Sequence, residues 1–550
     1  MYERIQKIGN YLKKEKENKE FYLNEEINNK FKIFKNWLLE NGAIFDNIIE
    51  FPVINNHLLK IGCKSKENIN ENESFLMIPK NLIIISNDLE YLEKYIEEIK
   101  EEIPEKDLPI LYLALYLYLE KKDENSFYKP YIDIIFIEKE NIFDLLNKDN
   151  LNKLNDDLAV KSIEKMFNNI NDIYELIKQC KKFSGIKKEE FIECYIKVIS
   201  RKIKLNNDYA LVPLVDLFYS DNSINLKYEI YDSENMIFKY TSNINNKSNL
   251  KNNLYMTKAK YSLPFNKVSY NKLIPFKVEY NDEEEEEEEE ENQKKIQINN
   301  NDYFSVAVSK NNKILKNNII CNNNDLCNKK LLKFKGYCLL YNKNDYLGIK
   351  IIFKRGDILI DRYLENIFKE NYETKNDDPI NNDIKIKIYF NYISSDLLKY
   401  FRFYYFYEVE KDAKKYFKYK YNLDTEISII TSSIKFLESK LKSMEDNFAF
   451  ENDFKCLENE IFNNNGQKNC LKENIIIFRL SQKIIIKNQI NLLSYILNIM
   501  KKYKINGYND IYDYINTEKI INDYDTKENT KLKLLRFIAY MTENIDLKNK

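Results

Sequence analysis

The sequence predicts an α+β fold in which short strands gather into small sheets, a helical stretch interrupts them, and a largely helical region follows. Three observations carry this. Short apolar runs alternate with polar turns between about residues 31 and 87, helical periodicity holds from about 88 to 204, and after about residue 394 apolar side chains recur at spacings of three and four. A chain of 550 residues has room for about two or three domains with cores of their own.

Taken in order, the elements follow from local pattern. FLMIPKNLIIIS is expected as short strands broken by a turn. LPILYLALYLYL, from Leu108 to Leu119, is apolar on every face and reads as a helix buried on all sides, being far short of the ~20 residues that span a bilayer. ALVPLVDLFYSDN, residues 210–222, begins as a buried run and changes character at Asp216. Residues 222–301 are rich in Asn, Lys and Ser and end in an acidic run at 282–291, so a solvated surface loop is expected there. Strand pattern resumes in YFSVAVSK, again over 331–353, and briefly in IKIKIYF. The final third carries two apolar stripes: Ile427, Ile430, Ile434, Leu437, Leu441 and Met444 behind Asp424 as N-cap, then Ile486, Ile490, Leu493, Leu497 and Met500. Such stripes build helix-bundle cores.

Composition narrows the function. Lys+Arg and Asp+Glu nearly cancel, 86 against 87, and the net charge of -1 offers no argument for a nucleic-acid or membrane partner. The 8 cysteines are scattered, and the nearest pair, Cys321 and Cys327, lacks zinc or redox spacing. Reduced thiols are expected. The single histidine, His57 in a turn-like segment, argues against a histidine triad or a histidine metal site. The charged N-terminus MYERIQKIGNYLKKEKENKE is unlike a secretory signal, so a cytoplasmic or nuclear protein is expected.

Six fragments, in order, carry a resemblance. They are FKNWLLENGAIF around Trp37, ENINENESFLMIPKNLII, the Ser126, Tyr128, Pro130, Tyr131 series in LYLYLEKKDENSFYKPYIDII, VISRKIKLNNDYALVPLVDLF, the Asn328, Leu331, Leu332, Gly336, Tyr337, Asn342, Asp345 series, and IIIFRLSQKIII with Arg479 and Lys483. Together they resemble the SET-domain protein methyltransferases of the Rubisco large-subunit lysine methyltransferase and actin-histidine methyltransferase type. The resemblance implies a SET fold over 31–355 with a helical insertion at about 88–204 and a low-complexity acidic loop at about 223–300. A short charged segment (1–30) precedes it, and a helical substrate-binding domain (356–550) follows.

The resemblance also implies chemistry. S-adenosylmethionine and a protein side chain would meet in a narrow channel, where alignment of donor and acceptor supplies most of the rate. Cofactor positions carried over are Glu73, Phe75, Arg201 and Asp216, with Arg201 pairing a carboxylate through its planar fork. Each has a plain alternative: a loop charge at Glu73, ordinary core at Phe75, a surface arginine at 201. The chain also departs from the family. Tyr219 and Ser220 stand where the family carries Asn-His, Asn323 where its first channel tyrosine falls, and Lys335 directly before Gly336, where a second tyrosine or a small residue is usual. Two expectations follow: a protein-lysine or protein-histidine N-methyltransferase with a degraded active site, or an inactive scaffold that binds a protein partner through its C-terminal helices.

Overall fold

The computed structural model describes residues 25–55, 60–137, 142–145, 147–205, 208–220, 225–231, 302–310, 312–322, 326–340, 342, 344–354, 381–390, 393–405, 422–462 and 470–506. Helix α1 (Glu25–Glu40) buries Phe31, Phe34, Trp37 and Leu38, spaced at three and four along one face. It ends at Gly42, whose φ of 91° suits a residue without a Cβ. Strands β1 (Ile49–Asn55) and β2 (Lys60–Ser65) pair antiparallel. Strand β3 (Ser74–Pro79) is buried along its whole length, and β4 (Ile84–Ile85) follows a short turn.

Three short 3-10 segments, Ser86–Tyr95, Glu97–Glu102 and Glu105–Asp107, lead into the helical insertion. Its helices are α2 (Leu108–Lys122), α3 (Lys129–Ile135), α4 (Ile142–Leu145), α5 (Lys148–Asn152), α6 (Asp157–Ile177) and α7 (Lys188–Arg201). The apolar α2 packs against α7 and is buried nearly all round, as its composition requires. Helix α6 starts where the Asp156 carboxylate accepts the backbone N–H groups of Leu158 and Ala159.

The chain then returns to sheet. Strands β5 (Ile203–Leu205), β6 (Asp208–Leu211), β7 (Tyr219–Ser220), β8 (Leu226–Tyr231), β9 (Tyr303–Val308) and β10 (Cys321–Asn322) lead to α8 (Asn328–Lys335), then β11 (Tyr346–Lys354) and β12 (Asn381–Tyr389). Among the described residues the strands form small separate sheets: β3-β9-β8, β4-β6-β5, and the pairs β1-β2, β7-β10 and β11-β12. Single bridges tie flanking segments to the strands, as Ile319 to Lys64 on β2 and Ile44 to Met77 on β3. Helices α9 (Ser395–Tyr404), α10 (Leu423–Asn447), α11 (Phe450–Phe462) and α12 (Cys470–Asn506) complete the described chain.

Two apolar cores result. The larger joins α1, the small sheets, the helical insertion and the first half of α12. The smaller joins β11, β12, α9, α10 and the second half of α12, and it takes in Leu347 and Ile349 ahead of residue 355. At ~1.5 Å rise per residue, α12 is about 55 Å long, enough to run through both.

Several sequence expectations change. The loop expected over 223–300 contains β8 at its start, because Leu226–Tyr231 finds a complete antiparallel register against β9. The strand pattern from 331 opens instead as α8, which Gly336 ends with a left-handed cap at φ 72°, and strand begins only at Tyr346. Helix α10 is capped by Asn422, whose side chain accepts from the Thr425 N–H at 2.8 Å, so Asp424 lies inside the first turn. His57, Asn323, Tyr341 and the acidic run lie outside the described residues.

Candidate functional site

A small, partly open cleft lies where five segments meet. Helix α7 contributes Ser200 and Arg201 from its last turn. The turn after β6 contributes Asp216, Leu217 and Phe218, and β7 contributes Tyr219. Lys60 and Ile61 come from the start of β2, and Lys335 and Tyr337 flank the Gly336 cap of α8.

The backbone explains why these residues face one another. Leu214 is buried with φ at 71° and ψ at -41°, close to the rare γ-turn conformation, which costs a non-glycine residue about 1–3 kcal/mol. The reversal is held by hydrogen bonds from Asp216 N to the Val212 carbonyl and from Phe218 N to the Val215 carbonyl, both at 3.1 Å. Without it the apolar run of β6 would continue and Asp216 would not turn inward. Strained turns of this kind collect at binding sites.

Inside the cleft, charge is concentrated and buried. Arg201 is 4% exposed and Asp216 is 8% exposed. The Tyr131 hydroxyl, on α3, donates to Asp216 Oδ2. Burial, and then the Asp216 charge, pushes the Tyr131 phenol well above its ordinary range, so it serves only as a donor. Burial and the same carboxylate also push the Cys63 thiol up, leaving it a small apolar group. The Lys335 ammonium donates to the Ser200 carbonyl, which places a cation beside Arg201.

Two tyrosine hydroxyls are occupied by backbone. Tyr219 donates to the Lys60 carbonyl at 2.6 Å, and its ring sits where a Cβ on Gly62 would approach it to 2.5 Å. Tyr337 accepts from the Ser220 N–H at 2.8 Å. Neither behaves as a hydroxyl waiting in a channel.

The carried-over cofactor positions separate into two groups. Arg201 and Asp216 line the cleft together with the departing residues Tyr219 and Lys335. Phe75 stands behind it, its ring 6.3 Å from that of the lining residue Phe218. Glu73 is placed elsewhere: its carboxylate accepts from the Asn70 backbone N–H at 2.9 Å and closes the turn before β3, and it is not among the lining residues. Tyr131 appeared in the sequence only as the end of a Ser-x-aromatic-x-Pro-Tyr pattern. Its contact to Asp216 spans 85 positions and has no local signature.

Asn328, Asn342 and Asp345 form a buried hydrogen-bonded knot instead of a wall of the cleft. Asn328 accepts from Leu339 N and donates to the Ser481 hydroxyl on α12, both at 2.9 Å, while its own N–H donates to Asp345 at 2.9 Å. The knot fixes α8 to α12 and so presents Lys335 to the cleft. Arg479 and Lys483 also turn inward, and both bond to Asp453 on α11. No group of His, Cys, Asp or Glu that could hold a metal ion occurs among the described residues, and no described helix is long and apolar enough to cross a membrane.

No family model and no curated protein matches the chain. Solved structures do match. The SET domain of LSMT bound to lysine and AdoHcy aligns over 93% of this chain and 99% of its own, with a TM-score of 0.55 and 14% identity. Rubisco LSMT bound to sinefungin and monomethyllysine aligns over 92% and 99%, with a TM-score of 0.53 and 14% identity. Rubisco LSMT bound to AdoMet gives 92% and 99%, with a TM-score of 0.52 and 13% identity. The chain has the fold of these structures.

Proposed function

We propose, from the premise that this chain has the SET-domain fold, that it binds an S-adenosyl amino-acid cofactor and has the degraded site of a protein-lysine or protein-histidine N-methyltransferase. The observation that carries this reading is the meeting of Arg201 and Asp216 in one cleft, under a strained turn, in a fold whose solved examples hold AdoMet or AdoHcy. The residues suit such a ligand. The Arg201 guanidinium pairs with the amino-acid carboxylate, Phe218 supplies an apolar wall backed by Phe75, and Asp216, oriented by Tyr131, receives a donor group. When bound, the cofactor supplies an electrophilic methyl group.

The transfer half of the site is altered. The hydroxyls of Tyr219 and Tyr337 are held by backbone, and a lysine stands beside Arg201. These observations favour a second reading, in which the fold persists as a catalytically inactive scaffold that binds a protein partner without transfer. The partner surface is assigned to the C-terminal helices α10–α12.

The test is a binding titration followed by a transfer assay. Saturable binding of an adenosyl ligand by the purified protein is expected, and Arg201→Ala should weaken it by at least about tenfold, since hydrogen bonds to charged groups contribute about 1.5–3 kcal/mol. Absence of saturable binding at millimolar ligand would end the enzyme reading and leave the scaffold. Given binding, labelled methyl incorporated into protein by the wild type, and lost in the Arg201→Ala variant, selects the enzyme; absence of incorporation selects the scaffold.

A further inference from the structure

We propose that the surface where Tyr91, Tyr116, Phe127 and Tyr128 gather around Glu120 is a docking site for an arginine side chain, presented by a basic segment of a protein partner. It shares no residue with the cleft lining and does not depend on the function proposed above.

Helix α2 carries Tyr116 and Glu120 one turn apart on one face. The loop after it brings Phe127 and Tyr128 against that face. Tyr128 meets Tyr116 edge-on with ring centroids 6.0 Å apart, and Phe127 meets Tyr128 at 5.1 Å. The Tyr128 hydroxyl donates to the Asn81 carbonyl at 3.1 Å, and Trp37 on α1 backs both rings, 5.5 Å from Phe127 and 6.2 Å from Tyr128. Tyr91 comes from the first 3-10 segment. Burial, and then the Glu120 charge, raises the phenols of Tyr91, Tyr116 and Tyr128 above their ordinary value, so all three lie within reach of one carboxylate. The rings are held rigidly, yet Tyr91 is 51% exposed and Phe127 is 47% exposed.

Glu120 accepts the Ser126 hydroxyl and forms no ion pair among the described residues. Its neighbouring lysines are engaged elsewhere: Lys121 with Glu193 at 2.7 Å, Lys122 with Glu190 at 3.3 Å and Lys129 with Glu124 at 3.2 Å. Lys94 lies over Tyr95 at 4.8 Å and over Tyr91 only at 6.0 Å, the limit of a cation–π contact. Charge beside the rings has the matching sign. Although the whole chain is nearly neutral, residues 86–107 hold nine acidic and three basic residues, and of the nine only Asp88 and Glu93 form ion pairs among the described residues. A basic segment is therefore attracted to this face. Arginine fits it better than lysine, because a planar guanidinium stacks on aromatic rings while its fork meets a carboxylate.

The chain holds a single tryptophan, Trp37, in contact with two of the docking rings, so its emission reports on this surface and not on the acidic run at 282–291. The experiment titrates the full chain with an arginine-rich peptide lacking Tyr and Trp, at about 0.05 M salt, where exposed charges are little screened. A saturable change in Trp37 emission is expected. Phe127→Ala and Glu120→Gln should each raise the midpoint about two- to fivefold, as one exposed cation–π contact or ion pair would. The triple variant that adds Tyr91→Ala should raise it at least about tenfold. These side chains are exposed or half-buried, and glutamine keeps an acceptor for Ser126, so the fold is retained. A lysine-rich peptide of equal length and charge should bind about threefold more weakly or worse. No saturable change at millimolar peptide, a midpoint unmoved by the triple variant, or equal midpoints for the two peptides would overturn the proposal. Calorimetric binding without a change at Trp37 would place the peptide on another acidic segment and overturn it as well.

Discussion

Tyr219 packs its ring against Gly62 and donates its hydroxyl to the Lys60 carbonyl, so an aromatic side chain fills the space between β7 and the β1-β2 hairpin. The sequence already marks Tyr219 as a departure from Asn-His, but the direction of its ring depends on a glycine 157 positions earlier. Gly62→Ala would bring a Cβ to 2.5 Å from the ring, and the anchored hydroxyl leaves little freedom to move aside. We expect it to destabilise the protein by about 1–3 kcal/mol, read as a lower midpoint in chemical denaturation. Tyr219→Phe should cost about 0.5–1.5 kcal/mol, the ordinary worth of one hydrogen bond. In the Gly62→Ala background its effect should shrink, because the two changes disturb one contact. Full additivity in that double-mutant cycle would show that ring and glycine do not meet.

At the scale of elements, buried polar clusters decide how helices are joined. Asp453 on α11 holds Arg479 and Lys483 on α12, with Lys483 fully buried and its ammonium pulled below its ordinary range by desolvation. Asp453→Ala would leave two buried cations without that carboxylate, a loss of about 3–5 kcal/mol measurable in urea. Arg479 and Lys483 are plain in the sequence as charges within an apolar stretch, and only packing shows that they face inward. Asp345 behaves differently. Burial pushes its carboxyl up to about 7, against backbone N–H bonds from Asn328 and Tyr346 that pull it down. Because its folded value lies above the unfolded one, its contribution is fully present below about pH 4 and is lost as pH rises through about 7. Asp345→Asn should therefore flatten the decline in stability between about pH 4 and 7. An unchanged pH profile would show that the carboxyl titrates normally.

For the whole molecule the decisive element is α12, which lends its first half to the larger core and its second half to the smaller. Leu480 and Leu493, each fully buried, lie in different cores on this one helix. Either one changed to Ala should cost about 2–5 kcal/mol, and both should lower a single shared transition in differential scanning calorimetry. Two resolved transitions, each moved by only one substitution, would show that the cores unfold independently. The sequence divides the chain near residue 355, between β11 and β12. The smaller core begins earlier, since β11 pairs with β12 along its whole length and buries Leu347 and Ile349 there. The boundary expected from the family resemblance falls between two strands that pair with each other across a long sequence separation.

The sequence by itself determined the α+β class, the all-round burial of α2, the apolar stripes of α10 and α12, and the ordered fragments that resemble a SET domain. These rest on spacing within one element, which neighbouring residues encode. Tertiary structure alone decided which polar groups share a cleft. The Tyr131 to Asp216 contact, the ammonium of Lys335 beside Arg201 and the retreat of Glu73 into its own turn each depend on several segments folding against one another. A buried charge is placed by every group that surrounds it, and no stretch of sequence contains them all.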